Sequence, residues 1–476
     1  MKKMKQKGFC IILVFMTLWG IIISPKVEGV EKTNLSNEAM LLVTQNSQES
    51  LYWLKAIIAE AQETVDMCPC MAGGKVLEEI LSTVRYRLQE VPNLKVRLLL
   101  QPIFLDENDY KILHTLKKDF SNQFSIQFAD YINLPFPEIG VYELHQKLTV
   151  VDAKYFVLGG TNFEDLSCTD GSVTPEEDET PRRYMYTKRP LGTRDQDFVG
   201  RSEVLGHKIA VNFAKMYRLW EAYAQTKVTI LDPEEFLDSI EIRIPDSMNM
   251  AYVEELETSS KLRAVAHNNI EFLSGGPYQQ KSINPITEAY LDLIKNAKTS
   301  IKITNLFFMP NKELLNAFKE ALNRGVSIEL ITNGINDRSP DLTKMFAWGS
   351  RYCFPDLFWG RSISFWDQNK IDSFPIKDVG IYEYYVKEVE LHKKVMIVDD
   401  QHVILGSYNI GYKSSAVDYE AVILVKDHPQ IAADAIAIFN KDRSLSKKIT
   451  IKETKQWFFN IKLNALAMFQ YRWQVG

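Results

Sequence analysis

The stretch LHQKLTVVD, residues 144–152, reads as a short apolar strand with a histidine and a lysine set into it, and the chain repeats it as LHKKVMIVD at 391–399. Side chains on a strand alternate between faces, so residues two apart share one. His145 and Lys147 therefore project together, as do His392 and Lys394. Asp152 and Asp399 have the opposite parity and are expected to act structurally. The spacing persists beyond the strand, where Gly159 and Asn162 follow Asp152 at the offsets at which Gly406 and Asn409 follow Asp399. Between Asp and Gly, AKYFVL and DQHVIL each read as a turn and a returning strand. The full pattern is His-x-Lys-x4-Asp-x6-Gly-x-x-Asn, present twice in a chain with seven histidines. At ordinary usages of roughly 5–8% per residue type, chance accounts for neither copy.

The duplication extends outward. LKAIIAEAQETVDMCPCMAGGKVLEEILSTVRYRLQEVPNLKVRLLL (54–100) has a partner in LDLIKNAKTSIKITNLFFMPNKELLNAFKEALNRGVSIELI (291–331). Each reads as a helix end, an alternating strand, an amphipathic helix and a second alternating strand, which predicts βαβ units and a largely parallel sheet. A period near 240 residues fits two fused copies of one domain rather than a solenoid. The halves are expected at 37–230 and 281–445, with a Pro- and Gly-punctuated connector at 231–280 and a helical tail at 446–476.

Composition narrows the function. The chain is 46% hydrophobic and 25% charged, an ordinary folded protein. MKKMKQKG followed by the apolar run FCIILVFMTLWGIII and SPKVEG reads as an export signal or an N-terminal anchor over residues 1–29, since the run is short for a spanning helix. Net charge is −5, and loss of residues 1–29 would remove five lysines and one glutamate to leave −9. Such acidity argues against non-specific nucleic-acid binding, which rests on neutralising phosphates. Cys68, Cys70, Cys168 and Cys353 remain after export and read as core or disulfide residues. No zinc or other metal spacing is present, and no metal or cofactor is expected.

The doubled signature resembles that of the phospholipase D superfamily over nearly all of residues 40–440. GIYEYYVKEVELHKKVMIVDDQHVILGSYNIGYKSS (380–415) is similar to the bacterial cardiolipin synthase-like branch. The resemblance implies two α/β halves, each a mixed, largely parallel sheet with helices on both faces, related by a pseudo-twofold axis that brings both motifs into one cleft. It implies His145 as nucleophile and His392 as general acid. One imidazole attacks phosphorus while the other protonates the leaving oxygen, and the roles reverse for the incoming water or alcohol. Lys147, Lys394, Asn162 and Asn409 would hold the phosphate oxygens as charge develops. Ser407 would add a hydroxyl to the phosphate site or its support, a contact missing where Gly160 stands. An acidic residue about eleven positions after the Asn orients a histidine ring in the family. Glu420 fills that place in the second half. In the first half an insertion, FEDLSCTDGSVTPEEDETPRRYMYTKRPLGTR (163–194), interrupts the spacing and leaves Asp197 as the expected carboxylate, with Asp195 second.

The expected activity is an exported, metal-independent phosphodiesterase that hydrolyses or transfers the phosphatidyl group of a phospholipid at a membrane surface. A monomer is expected, because both motifs lie in one chain. A nuclease of the same superfamily and a non-catalytic phosphate-binding relative are the alternatives. The insertion reads as a lid or a plain surface loop. The aromatic stretch MFAWGSRYCFPDLFWGRSISFW (345–366) reads as helix packing or a lipid-facing lip.

Overall fold

Alternating strands and amphipathic helices build each copy of the repeat into an α/β layer. The computed structural model describes residues 38–102, 105–129, 132–133, 141–165, 192–226, 251–276, 284–335, 341–359, 378–386 and 389–458. The expected signal, residues 166–191 of the insertion with Cys168, much of the connector and the end of the tail lie outside these residues.

In the first half the main elements run β1 (Glu38–Val43), α1 (Ser47–Ala59), β2 (Thr64–Cys68), α2 (Gly74–Glu90), β3 (Lys95–Leu100), α3 (Glu107–Asp119) and β4 (Phe124–Phe128). There follow β5 (Leu148–Val151), β6 (Tyr155–Gly159), β7 (Gly192–Arg194), β8 (Asp197–Arg201), α4 (Glu203–Thr226) and β9 (Arg263–Ala266). The second half runs β10 (Ile270–Gly275), α5 (Pro285–Asn296), β11 (Ser300–Asn305), α6 (Lys312–Asn323), β12 (Ser327–Asn333), α7 (Asp341–Trp359) and β13 (Val379–Tyr384). It ends with β14 (Val389–Leu391), β15 (Lys394–Val398), β16 (His402–Gly406), β17 (Glu420–Val425), α8 (Pro429–Ser444), β18 (Ser446–Lys448) and α9 (Ile451–Phe458).

The sheets have the orders β9-β1-β8-β6-β5-β2-β3-β4 and β10-β17-β16-β15-β11-β12-β13-β18. Without the edge strands β9 and β18 the two orders are the same seven-strand arrangement. Pairing is parallel for β2-β3-β4 and β11-β12-β13, where helices cross over, and antiparallel elsewhere. The parallel share is smaller than the βαβ pattern suggested, because the His-x-Lys strand and its return close as a hairpin.

Helix positions follow from apolar spacing. On α6, Leu314, Leu315, Ala317, Phe318, Ala321 and Leu322 are buried on one face, and Asn311 caps its first turn by accepting from Leu314 N at 2.9 Å. Helices α1 to α3 cover the outer face of the first sheet, and α5 to α7 that of the second. The inner faces share a central core with α4 and α8, where Phe156, Leu158, Phe213 and Trp220 meet Val395, Ile397, Leu405 and Phe439. The described part of the aromatic stretch is packed helix: Phe346 stacks on Phe307, and Arg351 binds Glu383 through two 2.6 Å bonds while lying over the Trp457 ring. Among the described residues no helix is long and apolar enough to cross a membrane. Cys68, Cys70 and Cys353 are buried free thiols.

The motif aspartates shape the hairpins. Asp152 and Ala153 have φ of 51° and 49°, Asp399 and Asp400 both 54°, and the turns close through Lys154 N to Val151 O and Gln401 N to Val398 O. Two consecutive residues at positive φ make the type I′ turn that matches strand twist, and Asp tolerates that region better than most residues. The Asp152 carboxylate accepts from the backbone of Gln62, Glu63, Thr64 and Ala251, and Asp399 from that of Lys298, Thr299 and Ser300. Each aspartate thus locks its hairpin to the start of the neighbouring strand, on the side away from the histidine.

Candidate active site

The hairpins deliver His145 and His392 to the ends of their strands, where each meets the opposite half. Leu144 forms a parallel bridge with Tyr419, and His145 N donates to Tyr419 O at 3.0 Å. Reciprocally, β7 pairs in parallel with β14, and His392 N donates to Arg194 O at 2.9 Å. The residue after each of those carbonyls is the orienting carboxylate. Glu420 lies 2.9 and 3.0 Å from His145 Nδ1, and Asp195 lies 3.1 and 3.0 Å from His392 Nδ1. Each ring is therefore held by a carboxylate of the other half.

This corrects the expectation for Asp197. Asp197 pairs with Gly159 in the first sheet, and Val422 pairs with Gly406 in the second, so Val422 is the counterpart of Asp197. Asp195, two residues earlier on the same face, is the counterpart of Glu420. Asp197 instead accepts from Ser50 and from the Thr161 hydroxyl and amide, bracing the loop that carries Asn162. Burial and the charge of Asp195 push its carboxyl above the usual range.

The two lysines are nearly fully buried, and each donates to the carbonyl of the histidine two residues before it, Lys147 at 2.7 Å. Asn162 accepts from Met71 N at 3.1 Å through Oδ1, while its buried Nδ2 has no hydrogen-bond partner among the described residues. Asn409 donates its backbone N–H to Ser414 Oγ at 3.1 Å, and its Oδ1 is likewise without a hydrogen-bond partner. Ser407 is wholly buried and supports Glu420 rather than lining the cleft. A Cβ on Gly159 would lie 2.2 Å from Asp197 Oδ1, and one on Gly406 2.2 Å from Ala421 O, so the motif glycine is demanded by close approach of the next strand.

Electrostatics separate the two histidines. Ser407 Oγ accepts from Ala421 N and Ser414 Oγ from Asn409 N, which leaves both hydroxyl protons to point at Glu420. With His145 Nδ1–H, Glu420 then receives three donors, a set that suits a carboxylate. That arrangement leaves the His145 Nε2 lone pair for the cleft. Burial raises Glu420 to about 7 against the pull of Lys147 and the two hydroxyls. Burial, then Lys147, depresses His145 well below the usual histidine range. Asp195 differs: burial works to raise it, but His392 and the two lysines prevail and hold it below its ordinary value. Its charge in turn opposes the loss of the His392 proton that burial and Lys394 promote. Burial brings Lys394 down to about 8.

Several neighbours gave no sequence signal. Ser414 lies in an ordinary helical turn. Glu143 binds Lys413 across the halves at 3.0 Å, and although burial works to raise it, Lys413 and His145 hold it low. Arg194, Lys393 and Asp442 form a buried ion cluster beside His392.

Residues 290–443 match the family model described as cardiolipin synthase, PLD-like domain. An uncharacterised protein of Helicobacter pylori strain 26695 is 22% identical over 436 residues, covering 84% of this chain and 78% of its own. The cardiolipin synthase of Geobacillus thermodenitrificans is 24% identical over 291 residues, 61% of this chain and 44% of the synthase. The crystal structure of phosphatidylserine synthase from Haemophilus influenzae Rd KW20 shares the fold, with a TM-score of 0.61 over 92% of this chain and 98% of that one at 15% identity. A doubled α/β scaffold with a histidine, a lysine and an exchanged carboxylate from each half defines a two-histidine phosphodiesterase-like class. Residues 290–443 carry the PLD-like domain, and the chain as a whole resembles the phospholipase D superfamily, with similarity to its phospholipid-synthesising enzymes.

Proposed function

We infer that this protein is a phosphodiesterase that cleaves phosphatidyl esters and passes the phosphatidyl group to water or an alcohol. The observation that carries the reading is the pair of buried histidines, each fixed at Nδ1 by a carboxylate of the other half and each flanked by a buried lysine. In the first step His145 Nε2 attacks phosphorus and forms the P–N bond. The P–O bond to the leaving group breaks, and that oxygen takes the proton from His392 Nε2. In the second step neutral His392 removes a proton from water or an alcohol, whose oxygen attacks phosphorus as the P–N bond breaks. Lys147, Lys394 and the Asn162 and Asn409 amides are placed in the motif to hold the non-bridging oxygens. A cation site of this kind supplies the charge stabilisation that a metal supplies elsewhere, so catalysis proceeds without one.

The sequence similarity to cardiolipin synthases favours a phospholipid over a nucleic acid, as does the acidic charge of the chain. Residues 1–29 support export, with a periplasmic, secreted or membrane-anchored protein working as a monomer at a lipid surface. The test is incubation of the full chain with a phospholipid panel and with single-stranded DNA, in EDTA, with and without glycerol. Released head group or a phosphatidylglycerol product in EDTA is expected. Cleavage of DNA alone, or activity restored only by added zinc or calcium, contradicts the reading.

A further inference from the structure

The His392–Asp195 pair is fastened on both sides to one buried carboxylate that the reaction does not use. Arg194, immediately before Asp195, donates Nε to Asp442 Oδ1 at 2.6 Å, and Lys393, immediately after His392, donates Nζ to Asp442 Oδ2 at 2.6 Å. All three side chains are buried, with at most 1% exposure. Placing three charges in a protein interior is costly in desolvation, and such clusters find their best use in fixing register. The cost is visible in Lys393, which burial brings down to about 8.

The other histidine has no charged residue at the two equivalent flanking positions, and the ion group on its side, Glu143–Lys413–Asp418, joins the strands from two residues before His145 and Glu420. Gln146 and Tyr419 occupy the flanking positions, and Gln146 donates to Glu420 O at 3.3 Å and accepts from Asn212 Nδ2 at 3.0 Å. The backbone support of both diads is short. Glu420 reaches His145 through the single bridge Leu144↔Tyr419, and the β7–β14 ladder that joins Asp195 to His392 is three residue pairs long, Gly192↔Val389 to Arg194↔Leu391, a length that is weak on its own. Asp442 sits on α8, whose Ile438 and Phe439 are anchored in the central core, so one rigid helix grips both strands of the ladder.

We propose that Asp442 is a positioning residue that holds His392 and Asp195 in register across the two halves, so that His392 keeps the proton the leaving oxygen needs. The proposal rests on the phosphodiesterase reading for its kinetic consequence, though not for its geometry. The groups that bear on the His392 ring are Asp195, Lys394 and Lys147, with His145 beyond them. Among these only Asp195 favours the protonated ring. Slippage of the ladder therefore lowers the proton affinity of His392 and leaves that of His145 in place.

The experiment uses the full chain and Asp442→Asn, with bis(p-nitrophenyl) phosphate and phosphatidylglycerol vesicles as substrates. p-Nitrophenolate departs without a proton, so its first-turnover burst stays within about twofold of wild type, whereas phosphatidylglycerol turnover falls at least about tenfold. In 15N-histidine NMR the His392 titration moves down by about half a unit or more while that of His145 holds. Lys393→Gln, which installs the residue found at position 146, keeps the Arg194–Asp442 pair and guards against misfolding of the first variant. Loss of its cation would by charge alone raise the His392 titration; loosening of the ladder lowers it. An equal loss on both substrates, or a His392 titration that stays or rises in both variants, overturns the proposal. If wild type processes neither substrate, the phosphodiesterase reading fails, and the titrations still decide the role of Asp442.

Discussion

The two histidine sites are built on the same seven-strand frame and finished differently. At His145 the carboxylate is a glutamate that accepts from Ser407 and Ser414 as well as from the ring, with the Gln146–Asn212 amide pair behind it and the Glu143–Lys413 pair beside it. At His392 it is an aspartate, one methylene shorter, with Gly160 where the other half has Ser407 and an ion cluster behind it. The length and the glycine go together, because a Cβ at Gly160 would lie 2.2 Å from Asp195 Oδ1. Three donors divide the charge of Glu420, while that of Asp195 is aimed chiefly at its imidazole. Duplication thus preserved the geometry while the supports diverged. Under the proposed mechanism the depressed His145 suits the attack, and the Asp195 charge suits His392 to hold the proton.

The largest effects expected are at the lysines, where Lys147→Ala and Lys394→Ala each cost roughly 3–4 kcal/mol of transition-state stabilisation with the fold retained. Steady-state kinetics with circular dichroism checks this, and near-normal turnover in both variants would place the active site elsewhere. Next is Gly160→Ser, which forces the new side chain into Asp195 and should lower turnover by about ten- to a hundredfold through loss of general-acid function. The same substitution pattern reversed, Ser407→Gly, removes one of three donors to Glu420 and should cost only about 1 kcal/mol. If Ser407→Gly were the more damaging, the division of labour would be the wrong way round.

Asp195 and Asp197 offer a sharper contrast. Asp195→Asn should abolish most turnover with little loss of stability, whereas Asp197→Asn should cost about 1–3 kcal/mol in a melt by weakening the bonds to Ser50 and Thr161. The smallest effect is the pH dependence of kcat/KM. His145 is already neutral well below its ordinary pKa of about 6.5, while His392 must be protonated and is also depressed. Activity on an alkyl ester should therefore decline as pH rises and His392 loses its proton, and should also fall below pH about 7 as Glu420 takes one up. A further fall is expected above pH about 8 as Lys394 loses its charge. A profile that climbs through pH 8 contradicts the assignment.

The frame of this site was legible in the sequence because strand parity is a local property. His145 and Lys147 share a face, Asp152 has the other, and two equal spacings to Gly159 and Asn162 expose the duplication. The structural role of Asp152 and Asp399 followed from parity, although the type I′ turn they make did not. The carboxylate of the first half was harder to place because the insertion removed the spacing from Asn162, and only the sheet register separates Asp195 from Asp197. The exchange of carboxylates between halves has no local signature at all. It depends on parallel bridges between residues 197 and 275 positions apart in the chain. The Arg194–Asp442–Lys393 cluster was hidden for the same reason, since each member alone reads as a surface charge.

The most direct measurement is the site of the covalent intermediate. In His392→Asn, bis(p-nitrophenyl) phosphate should still react, and the adduct should persist because the base for water is gone. Mass spectrometry of the quenched protein should place the phosphoryl group on His145, within residues 141–163. An adduct within 388–410 of the His145→Asn protein, with none on His145 in the other variant, would reverse the roles assigned to the two halves. No adduct in either folded variant would contradict a phosphohistidine mechanism.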